Sequence, residues 1–514
     1  MTENRNVGVF VLLFCFLFAS GAGFAQGSGA GVGKPQQPKE KVYVSGKIAD
    51  TIPALFLSDI HFDPFTDPSK VPQLDAAPVS QWKAILAAPA SADREQRSQA
   101  LQQSCHAKGT DTSYVLLDSG LRAMRSQAAD TKFITVSGDS MAHAFACKSS
   151  TLLPNNTPEV SRQFAEKTLA FVLSELTETF PGVPVYFALG NNDSDCGDYK
   201  LNAHSAFLAD TGKEVALSFP ASERSEVEET FGAGGYYSVA LPAPVHSARM
   251  LVLNDLFWSK KYATCSGKPD AKQAEEQLGW LATQLKEARR NKEKVWVMGH
   301  IPPGIDVHGT VTKFRDVCGG QSPEMFLSTE KMADEMAEYS DVVALGIFAH
   351  THMDEMRILQ PAGNAHGAGL EKSDAARPDA SKPIAVKMVS SISPVNGNSP
   401  SFTVTRTDPA TANLVDYRVV VSSNATGVDA VWKEEYDYAQ TYKEADYSPA
   451  SVGKLIAGFQ ADSSAATEGS RAYIRNFIAG SGSPLLGLVW PQYTCSLSNY
   501  TAEAYRSCVC SSAK

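Results

Sequence analysis

Five short apolar runs in this 514-residue chain each end in side chains able to ligate a metal: FLSDIHFD, TVSGDSMAH, FALGNNDSD, VMGHIPPG and FAHTHMDE. They contribute Asp59, His61, Asp139, Asn191, His300, His350 and His352. Taken singly, each piece has an ordinary reading: an Asp before a turn caps it, and a Gly-His or Gly-Asp pair marks a loop. Taken together, these oxygen and nitrogen donors are enough for two divalent ions. A mixed carboxylate and imidazole set without cysteine suits zinc first, with manganese, iron or cobalt as alternatives, and argues against a structural zinc site. Two such ions about 3.5 to 4 Å apart can activate a shared water and clamp a phosphoryl group during in-line attack. Asp139 is the expected bridge between them.

The elements that must position these residues alternate in kind. Strand-like ALFL at 54–57 is followed by a helical pattern near 113–127 and a strand at 133–136. A helix over 158–179 precedes VPVYFAL, one over 270–290 precedes KVWVMG, and one over 328–339 precedes VVALGIFA. Buried strands alternating with helices predict an α/β sandwich, and ligands in such folds gather beyond the carboxyl ends of the strands. TVT and YRVVV near 403–405 and 417–421 read as closing strands, and 361–383 as an Ala, Gly, Pro and Asp rich surface insertion. Beyond 430 the chain reads as aromatic, polar and helical. The expected division is a catalytic domain over 46–429 and a disulfide-pinned C-terminal subdomain over 430–514.

The order of the motifs resembles the calcineurin-like metallophosphoesterases, whose pattern is DxH, GD, GNH, GH and GHTH. The likeness covers roughly 54–425. Flanking segments are more specific: LLDSGLRAMR, GDSMAH, AHTHMDEMR and SSISPVNGNSPSF are similar to the acid sphingomyelinase and endopolyphosphatase group. The resemblance implies the calcineurin-like β-sandwich flanked by helices. It also implies one metal on Asp59, His61, Asp139 and His352 and a second on Asp139, Asn191, His300 and His350.

Two positions depart from that pattern. Where relatives carry GNH, this chain has Gly190-Asn191-Asn192, and an asparagine donates a hydrogen bond but delivers no proton at neutral pH. Either His143 in GDSMAH serves as the acid, as the resemblance suggests, or the leaving group needs no proton, as in a phosphoanhydride. Ala349 replaces the usual glycine before His350, a change expected to spare the ligands. Lys313 and Arg315 are weighed as phosphate contacts, with surface solvation the preferred role. Asp63, Asp193 and Asp195 are assigned to turns and caps in preference to orienting the histidines.

Composition sets the surroundings. With 43% hydrophobic and 20% charged residues the chain is that of a globular protein, and a net charge of -10 gives no basic footprint for nucleic acid. The run VGVFVLLFCFLFA at 7–19 is too short to span a bilayer core of about 30 Å and reads as a secretory signal cleaved after Ala25, with a flexible leader over 26–45. Stable membrane insertion is therefore not expected. Loss of Cys15 with the signal leaves eight of nine cysteines, enough for four disulfides in an extracellular or periplasmic enzyme. Cys508 and Cys510 are too close to pair with each other and are expected to pair elsewhere. About 28 residues lie between the cleavage site and the first strand, too few for the lipid-presenting domain of true acid sphingomyelinases. The expected substrate is a small-molecule phosphodiester or phosphoanhydride, including polyphosphate. A phosphomonoesterase or nucleotidase, or an inactive phosphate-binding relative, is the alternative.

Overall fold

The computed structural model describes residues 50–155, 157–360 and 382–512. The expected signal and leader, and all but the last two residues of the 361–383 segment, lie outside them. Twelve strands follow in chain order. They are β1 (Ile52–Leu57), β2 (Ile134–Ser137), β3 (Val185–Ala188), β4 (Tyr237–Ala240), β5 (Ala248–Val252) and β6 (Lys294–Met298). The second half comprises β7 (Val343–Phe348), β8 (Glu355–Leu359), β9 (Ile384–Met388), β10 (Ser401–Thr407), β11 (Leu414–Ser422) and β12 (Trp432–Asp437).

These strands form two six-stranded mixed sheets, ordered β12-β11-β10-β1-β2-β3 and β4-β5-β6-β7-β9-β8. β1, β2 and β3 run parallel, as do β5, β6, β7 and β9. Parallel strands buried on both faces need nearly continuous apolar sequence, which β1 (IPALFL) and β6 (KVWVM) supply. The sheets meet through large aromatic side chains. Trp296 of β6 lies edge-on to Phe56 of β1, with ring centroids 5.9 Å apart, and to Phe133 at 5.6 Å. Its indole N–H donates to the Ala412 carbonyl at 2.7 Å, so the polar end of this buried ring is satisfied.

Long helices lie between consecutive parallel strands. The helix Tyr114–Gln127 starts where Ser113 accepts a hydrogen bond from the Leu116 amide, and Pro158–Thr179 starts on the Thr157 cap. Both match the sequence reading. The helix expected over 328–339 is shorter, Lys331–Glu338, because Ser328 donates from both backbone and side chain to the Trp258 carbonyl. That attachment holds Ser328 outside the helix.

The C-terminal stretch corrects another expectation. It opens with a strand, β12, which adds to the edge of the first sheet beside β11 before the helical part begins. Lys433 and Glu434 are exposed on it, and charge on an edge strand is what prevents further pairing. Trp432 anchors it, its ring tilted against Phe402 at 5.5 Å and its indole N–H donating to Ser119. Of the helices that follow, Pro449–Ala461 packs against β8 and β9, and Trp490–Ser496 packs against both it and Ala502–Ser512.

Among the described residues four disulfides occur: Cys105–Cys147, Cys196–Cys265, Cys318–Cys510 and Cys495–Cys508. Cys508 and Cys510 do take separate partners. Cys318–Cys510 closes a loop of 192 residues, so in the chain-entropy view it is worth about 5 kcal/mol. The double replacement Cys318→Ser/Cys510→Ser is expected to lower the melting temperature more than loss of the 13-residue Cys495–Cys508 link. Calorimetry of the two variants checks the order.

A buried ionic core joins the last helices to the sheet. Lys387 on β9, fully buried, pairs with Asp354 and donates to the Met388 carbonyl at 2.8 Å, while its ammonium lies 4.5 Å from the Tyr417 ring. Tyr436 of β12 also donates to Asp354. Next along the chain, Glu355 accepts from Arg357 at 3.0 Å, Thr351 at 2.7 Å and Tyr493 at 2.8 Å. Breaking one buried pair strands the other charge, so Lys387→Met is expected to cost about 3 to 5 kcal/mol. Urea unfolding measures it, and Asp354→Asn in the same chain should recover much of the loss.

Candidate metal centre

All seven expected ligand residues lie on turns beyond the carboxyl ends of parallel strands: Asp59 and His61 after β1, Asp139 after β2, Asn191 after β3, His300 after β6, and His350 and His352 after β7. Five of them, Asp59, His61, Asp139, His350 and His352, hold positive φ between 43° and 71°. Non-glycine residues adopt that conformation at a cost, which is borne where a sharp turn must aim a side chain. Tight packing of these turns explains two glycines. A Cβ on Gly190 would fall 2.2 Å from Asp139 Oδ1, and one on Gly138, at φ +89°, 2.7 Å from His300 Nδ1.

The donor atoms form two clusters with Asp139 between them. On one side His61 Nε2 is 3.3 Å from His352 Nε2 and 3.5 Å from Asp139 Oδ2, with Asp59 Oδ1 3.4 Å from His352 Nε2. On the other, His300 Nε2 is 3.2 Å from Asp139 Oδ2, 3.2 Å from Asn191 Oδ1 and 3.3 Å from His350 Nδ1. His61 and His300 each donate Nδ1–H to a backbone carbonyl, Met141 at 2.9 Å and Ser137 at 2.8 Å. That fixes one proton on Nδ1 and turns each Nε2 toward the cluster.

The electrostatics are those of a site seeking cations. Burial opposes the charge on Asp59, yet His352, His61 and His300 hold its carboxyl at about 2. Asp139 is held well below the carboxylate range against the same desolvation, chiefly by His300. Burial disfavours the imidazolium of His61 and His300, but Asp59 and Asp139 outweigh it for His61, at about 9, and Asp139 leads the effect on His300, at about 10. Burial and neighbouring imidazoles push His350 down to about 3 and His352 to about 4. Both oxygens of Asp59 are buried without a hydrogen-bond donor. Buried carboxylates that draw protons onto His61 and His300, beside His350 and His352 kept neutral, set a negative potential that a cation would satisfy in place of those protons, so the donor set fits divalent metal.

The two remaining candidates also reach the site. Asn192 donates to Asp139 twice, from its backbone N–H to Oδ1 at 2.8 Å and from its side-chain amide to Oδ2 at 2.9 Å. His143 stacks on His61 at a centroid distance of 4.0 Å and keeps a third of its side chain exposed. Its Nδ1 lies 2.9 Å from Asp111 Oδ1, and its backbone N–H donates to Asp111 Oδ2 at 2.8 Å. Burial works against the Asp111 charge, but His143, His61 and Lys148 hold its carboxyl far below the usual range.

Asp193 braces the surrounding backbone, accepting from the Ser140, Met141 and Gly190 amides at 2.8 to 2.9 Å. Asp63 accepts from the Phe65 amide, closing its turn, and pairs with buried Lys148 at 2.8 Å. Lys313 and Arg315 both pair with Glu324 at the surface. Ala349 is buried between left-handed turns but is not itself one of the left-handed residues, so its methyl needs no distortion.

Sequence reasoning missed Asp111, Asp198, Tyr199 and Asp255. Asp255 Oδ2 accepts from the His300 amide at 2.7 Å, and burial raises its carboxyl to about 7. A signal for it existed, since Asn254-Asp255 ends β5 as the recognised motifs end their strands. Asp111 sits in an undistinguished polar loop and had none.

The model of one family, described as calcineurin-like phosphoesterase, matches residues 52–354. The chain is 25% identical over 355 residues to human cyclic GMP-AMP phosphodiesterase SMPDL3A, covering 68% of this chain and 69% of that protein. It is 25% identical over 421 residues to human acid sphingomyelinase-like phosphodiesterase 3b, covering 78% and 80%. Sphingomyelinase phosphodiesterase C of Dictyostelium discoideum is 23% identical over 345 residues, covering 66% and 70%. Among solved structures, a dimetal phosphatase from Danio rerio aligns with 75% of this chain and 99% of its own at a TM-score of 0.38 and 10% identity.

Proposed function

The chain belongs to the calcineurin-like phosphoesterase family, and from that premise we propose that it is a secreted binuclear hydrolase of phosphodiesters or phosphoanhydrides. The observation that carries this reading is the position of Asp139, whose Oδ2 lies 3.2 Å from His300 Nε2 and 3.5 Å from His61 Nε2. One divalent ion would sit with Asp59, His61, Asp139 and His352, and the other with Asp139, Asn191, His300 and His350. Zinc is the first choice for this O and N donor set. Bound there, the ions supply Lewis acidity to phosphoryl oxygens and make a water acidic enough to act as a nucleophile near neutral pH.

The chain's own residues account for the rest. Asn192 holds both oxygens of Asp139, so the departure from histidine at this position serves to orient the shared carboxylate. Proton delivery falls to His143. Its Nδ1 is occupied by Asp111, which leaves Nε2 to carry a proton to a departing alkoxide, while Asp111 stabilises the imidazolium as in other His–Asp pairs. A leaving alkoxide that needs this proton is a feature of alkyl ester rather than anhydride cleavage, and the diester preference is supported by the relatives, which are named phosphodiesterases.

Four disulfides support export to an oxidising compartment. Among the described residues no helix is long and apolar enough to cross a membrane. The substrate is proposed to be a small-molecule phosphoester, with polyphosphate as the anhydride case. Parallel assays of bis-nitrophenyl phosphate, nitrophenyl phosphate and polyphosphate test the reading. Fastest turnover of the diester is expected, and exclusive turnover of the monoester would overturn it.

A further inference from the structure

The histidines of the two clusters are not oriented in the same way. His61 and His300 are locked through Nδ1 by backbone carbonyls, which no substitution of a side chain removes. His350 is reversed: its Nδ1 faces His300 Nε2 at 3.3 Å, and its Nε2 points away to the Tyr199 hydroxyl at 3.2 Å. To present the Nδ1 lone pair, His350 must carry its proton on Nε2 and donate it to Tyr199. Lys261 donates to the same hydroxyl oxygen at 3.4 Å, with its ammonium 4.5 Å from the ring centroid.

The neighbour of Tyr199 has a parallel role on the same side of the site. Asp198 accepts from Asn191 Nδ2 at 2.7 Å, which turns Asn191 Oδ1 toward His300. The segment carrying both residues is held to that of Lys261 by the Cys196–Cys265 disulfide. Backbone bonds add to it, from Ala263 N to the Tyr199 carbonyl at 3.0 Å and from Leu201 N to the Ala263 carbonyl at 3.1 Å. One braced pair of loops therefore supports Asn191 and His350, and both belong to one of the two clusters.

We propose that Tyr199 and Asp198 are positioning residues for the second metal position alone: Tyr199 fixes the Nε2–H tautomer of His350, and Asp198 aims the Asn191 carbonyl. The inference rests on the two-ion reading given above. Partners that orient metal ligands typically set affinity by a factor of about 10 to 100. Removing one should loosen the second ion and spare the first, so that the two affinities separate.

The test is calorimetric zinc titration of metal-stripped wild type, Tyr199→Phe and Asp198→Asn, with melting temperatures of the stripped chains. Wild type is expected to take two ions. Tyr199→Phe should weaken one binding step by about 10 to 100-fold, leave the other within about twofold, and melt as wild type does without metal. Two unchanged steps in Tyr199→Phe, or equal weakening of both, would overturn the inference while leaving the two-ion reading in place. A wild type that takes only one ion would overturn the two-ion reading and this inference with it. Asp198→Asn reaches the same cluster through Asn191, so selective loosening there keeps the test decisive should Tyr199→Phe fail to fold.

Discussion

Asp139→Asn is expected to reduce hydrolysis by on the order of 10³-fold or more and to bring bound metal below one ion per chain, against about two in the wild type. The substitution removes the one negative charge placed within 3.5 Å of a histidine from each cluster. It also creates a hydrogen-bond conflict. Oδ1 of Asp139 receives the fixed backbone N–H of Asn192, so an amide nitrogen would be confined to the Oδ2 position, where it faces the Asn192 amide donor unless that side chain turns over. Loss of charge and loss of orientation act in the same direction. Turnover assays with elemental analysis of the same preparation check it, and near-normal turnover would remove Asp139 from its central position.

His143→Ala is expected to cost about 10² to 10⁴-fold on an alkyl phosphodiester and far less on a nitrophenyl ester, whose leaving group departs without a proton. The contrast between substrates is the informative quantity, because a packing role would slow both equally. Asp111→Asn should give the same contrast more weakly. The His143 backbone N–H and ring Nδ1 both donate to Asp111, and an amide can accept only one of these two bonds. Equal losses on the two substrates would exclude His143 as the acid and leave a packed histidine stacked on His61.

Much of this site was legible because its physics is local. A metal ligand at the end of a buried parallel strand leaves a short signature, an apolar run followed by Asp or His, and five such signatures in order made the crevice predictable before any geometry. The strands and helices that precede them were legible for the same reason, through continuous apolar runs and capped amphipathic stretches. What escaped was set by distant sequence. Asp111 meets His143 from 32 residues away and Tyr199 meets His350 from 151, and neither loop has a periodicity or spacing that announces a partner. β12 escaped because an edge strand displays charge, and its identity depends on the neighbouring β11 rather than on its own pattern. The role of Asn192 needed coordinates as well. The sequence says that this residue donates a hydrogen bond and delivers no proton, but not that the acceptor is Asp139.

The C-terminal residues bear directly on the candidate site. Asp354 and Glu355, which directly follow the His350 and His352 turn, are held by Tyr436 and Tyr493, and the Asp354 amide donates to the Phe477 carbonyl at 3.0 Å. The turn that aims two imidazoles is thus clamped by the last eighty or so residues of the chain. Lys387→Met, which unpairs Asp354, is therefore expected to loosen that turn as well as lower stability.

The most direct measurement is metal content per chain, by elemental mass spectrometry, before and after exhaustive chelation, with diester hydrolysis followed on each sample. The account predicts about two divalent ions per active chain, loss of turnover on stripping, and recovery only as the second equivalent of zinc or manganese is returned. A stripped chain that keeps its turnover, or full activity restored by one equivalent, would contradict it.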